Sequence, residues 1–104
     1  MKTFVILPTY NEAQNLEPIV RQLLALPMDD LNLLIIDDNS QDNTGKIADT
    51  LRDQNPNRVW TMHRPDKMGL GTAYITGFDW ALEHNADCIV QMDADFSHSP
   101  HYLP

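Results

Sequence analysis

The sequence predicts an α/β fold built on a parallel, doubly wound, Rossmann-like sheet, and two observations carry that expectation. Four short apolar runs of strand length alternate with three stretches whose apolar residues recur at helical spacing. The runs are close to continuously apolar, which suits strands covered on both faces, and parallel neighbours need crossovers rather than tight hairpins.

The elements follow in order. Phe4 to Leu7 is a continuous run rich in strand formers. Leu16, Ile19, Val20, Leu23 and Leu24 then mark a helix, with Asn15 placed to cap it and Pro27 helping to end it. Leu33 to Ile36 is a run of four aliphatic residues. Thr44 to Asn55 carries Ile47, Ala48 and Leu51 on one helical face and stops at Asn55-Pro56. Val59 to Met62 is a short third strand. Leu70, Ala73, Tyr74, Gly77, Phe78, Ala81 and Leu82 form a broader apolar stripe, ended near His84-Asn85, and this helix is expected to be the most buried of the three. Cys88 to Met92, apolar except for Gln91, closes the series.

Composition limits the function classes. With 104 residues, 42% hydrophobic and 21% charged, the chain has enough apolar material for one core burying about two thirds of its unfolded surface. Seven Lys and Arg against fifteen Asp and Glu leave a net charge of −8, which argues against nucleic-acid binding because no basic surface is available to displace counterions. No apolar run nears the ~18 residues of a membrane span, and MKTFVILPTYNE turns polar where a secretory signal stays apolar, so a cytoplasmic chain is expected. The single cysteine, Cys88, excludes an internal disulfide and a cysteine-rich zinc site and is read as an inert core thiol.

In open parallel sheets, ligands bind beyond the carboxyl ends of the strands. The residues there are Pro8-Thr9-Tyr10-Asn11-Glu12, Asp37-Asp38-Asn39-Ser40, His63-Arg64-Pro65 and Asp93-Ala94-Asp95. Any one such Asp reads as a turn or helix cap. Five carboxylates on one edge imply more: a metal, a ligand rich in hydroxyl and N–H groups, or both. Asp93 and Asp95 flank one small residue, so in an extended loop both can approach a single hard cation, Mg2+ or Mn2+. His98 and His101 are read as part of a solvated loop. Gly69 and Gly71 open the third helix beside Arg64 and Lys67, a setting that suits a phosphate contact and equally a turn with close helix packing. Trp60, Trp80, Tyr74 and Phe78 are assigned to the core or a helix face, and Lys46 and Arg52 to solvent.

The segments Ile6-Leu7-Pro8-Thr9-Tyr10-Asn11-Glu12, Asp37-Asp38-Asn39-Ser40, Arg64 to Tyr74 and Gln91 to His98 resemble, in order and spacing, the family 2 glycosyltransferases. The Gly-Leu-Gly-Thr-Ala-Tyr run at 69–74, with Gly77-Phe78 and Trp80-Ala81-Leu82, is most similar to the dolichol-phosphate (polyprenol-phosphate) mannosyltransferases. The resemblance implies a GT-A fold and metal-assisted transfer of mannose, with inversion, from GDP-mannose to a dolichyl or polyprenyl monophosphate. It implies that Pro8, Tyr10 and Glu12 hold the nucleoside, and that Ile35 by backbone and Asp37 by side chain read the base. It also implies that Asp93, Ala94 and Asp95 meet ribose, diphosphate and metal, with Asp95 in the catalytic position. Ser97 stands where some relatives carry Gln.

Such an acceptor would attack without a protein base, because a phosphate monoester is already substantially ionised near neutral pH. The lipid would bring the enzyme to the cytoplasmic face of a membrane as a peripheral protein. Relatives continue beyond the Asp-Ala-Asp turn, so residues 1–104 are expected to be the nucleotide-sugar-binding half of the domain, incomplete for catalysis on their own. A family 2 enzyme using a UDP-sugar, a nucleotidyltransferase, and a nucleotide-binding module without turnover are the alternatives.

Overall fold

The computed structural model describes residues 1–65 and 70–92. Along the chain come β1 (Thr3–Thr9), α1 (Leu16–Leu24), β2 (Leu31–Asp37), α2 (Thr44–Gln54), β3 (Val59–His63), α3 (Leu70–Glu83) and β4 (Cys88–Gln91). Every expected element is present. β1 and β2 outrun their apolar cores at both ends, because their ladder runs from Thr3↔Leu31 to Thr9↔Asp37 and carries polar residues with it.

All pairings are parallel, in the order β3-β2-β1-β4. The chain steps outward from β1 to β3 and then returns past β1 to lay down β4, so strand order reverses between β1 and β4. Pairing with β4 stops at Ile6↔Gln91, short of Pro8, whose missing N–H therefore costs that ladder nothing.

Alternation along the two central strands divides the core. Val5, Leu7, Leu33 and Ile35 point to the face covered by α1, through Leu16, Ile19, Val20 and Leu23, and by α2, through Ala48 and Leu51. Phe4, Ile6, Leu34 and Ile36 point to the face covered by α3, through Ala73 and Ala81. Phe4, Trp60 and Trp80 form an aromatic cluster on that second face, with ring centroids 5.1 to 5.8 Å apart, as the core assignment of the tryptophans required.

Three expectations are corrected. α3 is not the most buried helix: Ile75, Phe78 and Leu82 lie exposed, at 65%, 43% and 53% of their surface, while small residues face the sheet. The cause is close approach. A Cβ on Gly77 would stand 2.5 Å from Ile6 Cγ2, so at that turn the helix sits too near the sheet for a larger inward side chain. Asn15 makes no side-chain cap on α1; its own N–H and that of Leu16 donate to the Glu12 carbonyl. Cys88 is half-buried on an outer strand rather than enclosed in the core.

Candidate functional site

At the carboxyl ends of β1 and β2, Thr9 and Asp37 are register partners, and Asp37 is 3% exposed. Its Oδ1 accepts from Thr9 Oγ1 at 2.8 Å and from Ser40 Oγ, and its Oδ2 accepts from the Ser40 N–H at 3.2 Å. An ionised carboxylate offers about four acceptor positions, so one remains, on the Oδ2 side.

The first two loops are tied to each other around this carboxylate. Asn11 N–H donates to Ser40 Oγ at 2.9 Å, Gln41 N–H to Asn11 Oδ1 at 2.8 Å, Glu12 N–H to Thr44 Oγ1 at 2.9 Å and Ala13 N–H to Asp42 Oδ2 at 3.3 Å. Both loops turn through left-handed backbone, at Asn11 (φ 56°) and Asn39 (φ 54°), a conformation that asparagine tolerates better than most residues. Asp42 also accepts from the Thr44 N–H and hydroxyl. The Thr44 hydroxyl bond holds the Asp42 carboxyl below its usual range, against a smaller opposing effect of burial, with the Thr44 and Ala13 N–H groups helping.

The third loop joins through Arg64. Its N–H donates to the Asp37 carbonyl at 2.8 Å, and its guanidinium forks onto Asp38, with Nη2 to Oδ2 at 2.7 Å and Nε to Oδ1. Both side chains are more than nine-tenths buried. Arg64 thus neutralises the second carboxylate of the Asp37-Asp38 pair, which separates the two in role.

On the outer side of α2, His63 Nε2 lies 2.8 Å from Asp49 Oδ1, which also receives Thr61 and Arg52. Burial pushes the Asp49 carboxyl up, but the hydrogen bond from His63, with Thr61 and Arg52, holds it below its usual range. His63 is the register partner of Asp37. The Cβ position of Gly45, in the first turn of α2, lies 3.4 Å from Asp37 Oδ2, 3.5 Å from His63 Cε1 and 3.7 Å from His63 Nδ1.

Of the residues singled out from sequence, Pro8 is buried in β1, and Tyr10 and Glu12 are half-buried in the loop that follows. Ile35 lies inside β2 between paired strands, its side chain in the core on the same face as Asp37. Met92 N–H donates to the Ile6 carbonyl at 3.1 Å, so the chain enters the 93–95 segment from beside β1. Asp93, Ala94, Asp95, Ser97, Lys67, Gly69, His98 and His101 lie outside the described residues. Among the described residues no three His, Cys, Asp or Glu side chains gather as a metal site. Sequence reasoning missed the Thr9 and Ser40 bonds to Asp37, the Asp38–Arg64 fork and the His63–Asp49 pair. Only the first left a signal, since in-register parallel strands put Thr9 opposite Asp37.

Comparison with known proteins agrees with this architecture. The chain is 48% identical, over 98% of its length, to the polyprenol monophosphomannose synthase of Mycolicibacterium smegmatis, and 45% identical, over its whole length, to the undecaprenyl-phosphate mannosyltransferase of Micrococcus luteus. It spans 38% and 42% of those two proteins. A solved mannosyltransferase from Pyrobaculum calidifontis, in complex with GDP-Man and Mn2+, superposes with a TM-score of 0.74 over 90% of this chain and 27% of its own, at 28% identity. The sequence profile of "Glycosyl transferase family 2" matches residues 4–104, from the first strand through all the loops that build the site, and by that match the chain belongs to this family.

Proposed function

We propose that the protein carrying this chain transfers mannose from GDP-mannose to a polyprenyl or dolichyl monophosphate, with inversion, and that residues 1–104 supply its donor-binding half. The observation that carries the reading is the identity of 48% and 45% to two enzymes named for mannose transfer to polyprenol carriers. A donor complex with GDP-Man and Mn2+ on the same fold supports it.

On this reading the joined loops around Asp37 form the floor of the nucleoside pocket. Pro8 and the Ile35 backbone would shape it, and Tyr10 and Glu12, in the loop after β1, would hold the nucleoside with Asp37. Asp93, Ala94 and Asp95, which come soon after β4 in the sequence, would meet ribose and diphosphate. Mg2+ or Mn2+ held by Asp93 and Asp95 would supply Lewis-acid stabilisation of the departing diphosphate. The protein's task is then positioning, because the acceptor phosphate is its own nucleophile. Arg64 is engaged by Asp38, which leaves Lys67 and residues outside this chain to answer the donor's charge. The lipid acceptor brings the enzyme to a membrane surface as a peripheral protein on the cytoplasmic side, and no helix among the described residues is long and apolar enough to cross a membrane.

Transfer of labelled mannose to polyprenyl phosphate by the full-length protein tests the reading. The expected result is transfer from GDP-mannose that chelation abolishes, that Asp95→Asn lowers by at least a hundredfold, and that UDP-glucose does not replace. Equal use of UDP-glucose would overturn the donor assignment. Undiminished transfer after chelation would overturn the metal.

A further inference from the structure

The His63–Asp49 pair stands outside the roles assigned so far, yet it borders the nucleotide pocket. Because the Asp49 carboxylate can only accept, the 2.8 Å contact requires the proton on His63 Nε2. In the neutral ring that fixes Nδ1 as a bare acceptor nitrogen, and no hydrogen bond from any described residue reaches it. Nδ1 and Asp37 Oδ2, the oxygen with a position to spare, both border the space above Gly45. Glycine leaves that space open: a methyl group there would fit at ordinary contact distance, and the residue has no left-handed backbone to demand glycine.

We propose that His63, held in this tautomer by Asp49, is a specificity-determining residue that reads the nucleotide base together with Asp37. Two acceptors beside one open space select a base edge with adjacent N–H donors, the ring amide and exocyclic amine of guanine. Uracil presents one N–H flanked by two carbonyl oxygens, and would leave one acceptor facing an oxygen. The inference rests on the reading of Asp37 as part of the nucleotide site and adds the element that prefers a guanine to a uracil nucleotide.

Calorimetric titration of the full-length protein with GDP and with UDP, both with saturating Mg2+, tests it. His63→Gln keeps a group that can reach Asp49 but removes the acceptor at Nδ1; Gly45→Ala fills the space without touching either side chain's chemistry. Each is expected to weaken GDP by about five- to tenfold, the worth of one hydrogen bond, while UDP changes less than twofold. His63→Asn, whose amide oxygen can stand near the Nδ1 position, is expected to recover part of the loss. Equal weakening of GDP and UDP, or no change in GDP with both His63→Gln and Gly45→Ala, overturns the role of His63. Asp37→Ala separates this from the underlying reading: if it weakens GDP while the other two do not, the pocket stands without His63, and if it too leaves GDP unchanged, the nucleotide site is elsewhere and both readings fall.

Discussion

Asp37 and Asp38 are adjacent in sequence and opposite in fate, and the difference is set by their partners. Asp37 is held by neutral donors, the Thr9 and Ser40 hydroxyls and the Ser40 N–H, with no cation of the described residues paired to it. Asp38 gives its charge to Arg64 in a buried fork. Breaking such a pair from one side strips a buried guanidinium of its bidentate carboxylate, so Asp38→Ala should destabilise the fold by about 3 to 5 kcal/mol in urea unfolding. A loss under about 1 kcal/mol would mean the pair is solvated in practice. Asp42 gives a prediction in pH. Its folded carboxyl titrates below the ordinary value of 3.8, so the stability it contributes is present above that value and is lost as pH falls through the folded one. Melting temperatures of wild type and Asp42→Asn should therefore lie apart near neutrality and converge as pH falls below 3.8. A constant gap across the range would remove Asp42 as the cause.

At the scale of the element, α3 shows how a sequence pattern is overruled by distance. Its stripe of Leu70, Ala73, Tyr74, Gly77, Phe78, Ala81 and Leu82 is broader than anything on α2, and periodicity alone turns all of it inward, the large Phe78 and Leu82 included. The sheet instead accepts Ala73, Gly77 and Ala81, because Gly77 brings the helix backbone onto Ile6 and Ile36. Gly77→Ala should cost about 1 to 3 kcal/mol through overpacking, despite the gain in helix propensity. Gly71→Ala is the control: nothing lies within 4 Å of its Cβ position, so the same substitution there should be neutral or mildly stabilising. Matching thermal shifts for the two variants would contradict the close approach.

Across the whole molecule, the fold was legible because one signal, apolar runs alternating with helical period, recurs in every element from Phe4 to Met92. The placement of the site was legible for the same reason, since a parallel sheet sends Glu12, Asp37 and Arg64 to one edge. What could not be read was the partnership within that edge. Nothing in the spacing says that Arg64 turns to Asp38 rather than to a ligand, or that His63 finds Asp49 on a helix, because such pairings depend on loop conformation and on side chains choosing among several neighbours. Periodicity also cannot report how near a helix lies to its sheet, which is why α3 was misjudged. The resulting exposed row of Ile75, Phe78 and Leu82 should make the 104-residue chain self-associate, and sedimentation should show Phe78→Gln with Leu82→Gln to be more monomeric than wild type.

The return of the chain to the far side of β1 has a consequence in time. β1 meets β2 across 28 positions, as at Thr9 and Asp37, but meets β4 across 85, as at Thr3 and Cys88. The added loop-closure entropy is only about 1 kcal/mol, yet it comes due before β4 yields any contact, and β4 follows β2 in the order of synthesis. This predicts that, of the four described strands, the one that leads into Asp93 and Asp95 joins the sheet last. Truncating that strand should change escape from the native state and not entry into it: Val90→Ala should speed unfolding while leaving the refolding rate within about twofold, whereas Leu34→Ala should slow refolding several-fold. Stopped-flow measurement of both limbs distinguishes this order from its reverse, in which Val90→Ala would slow refolding instead.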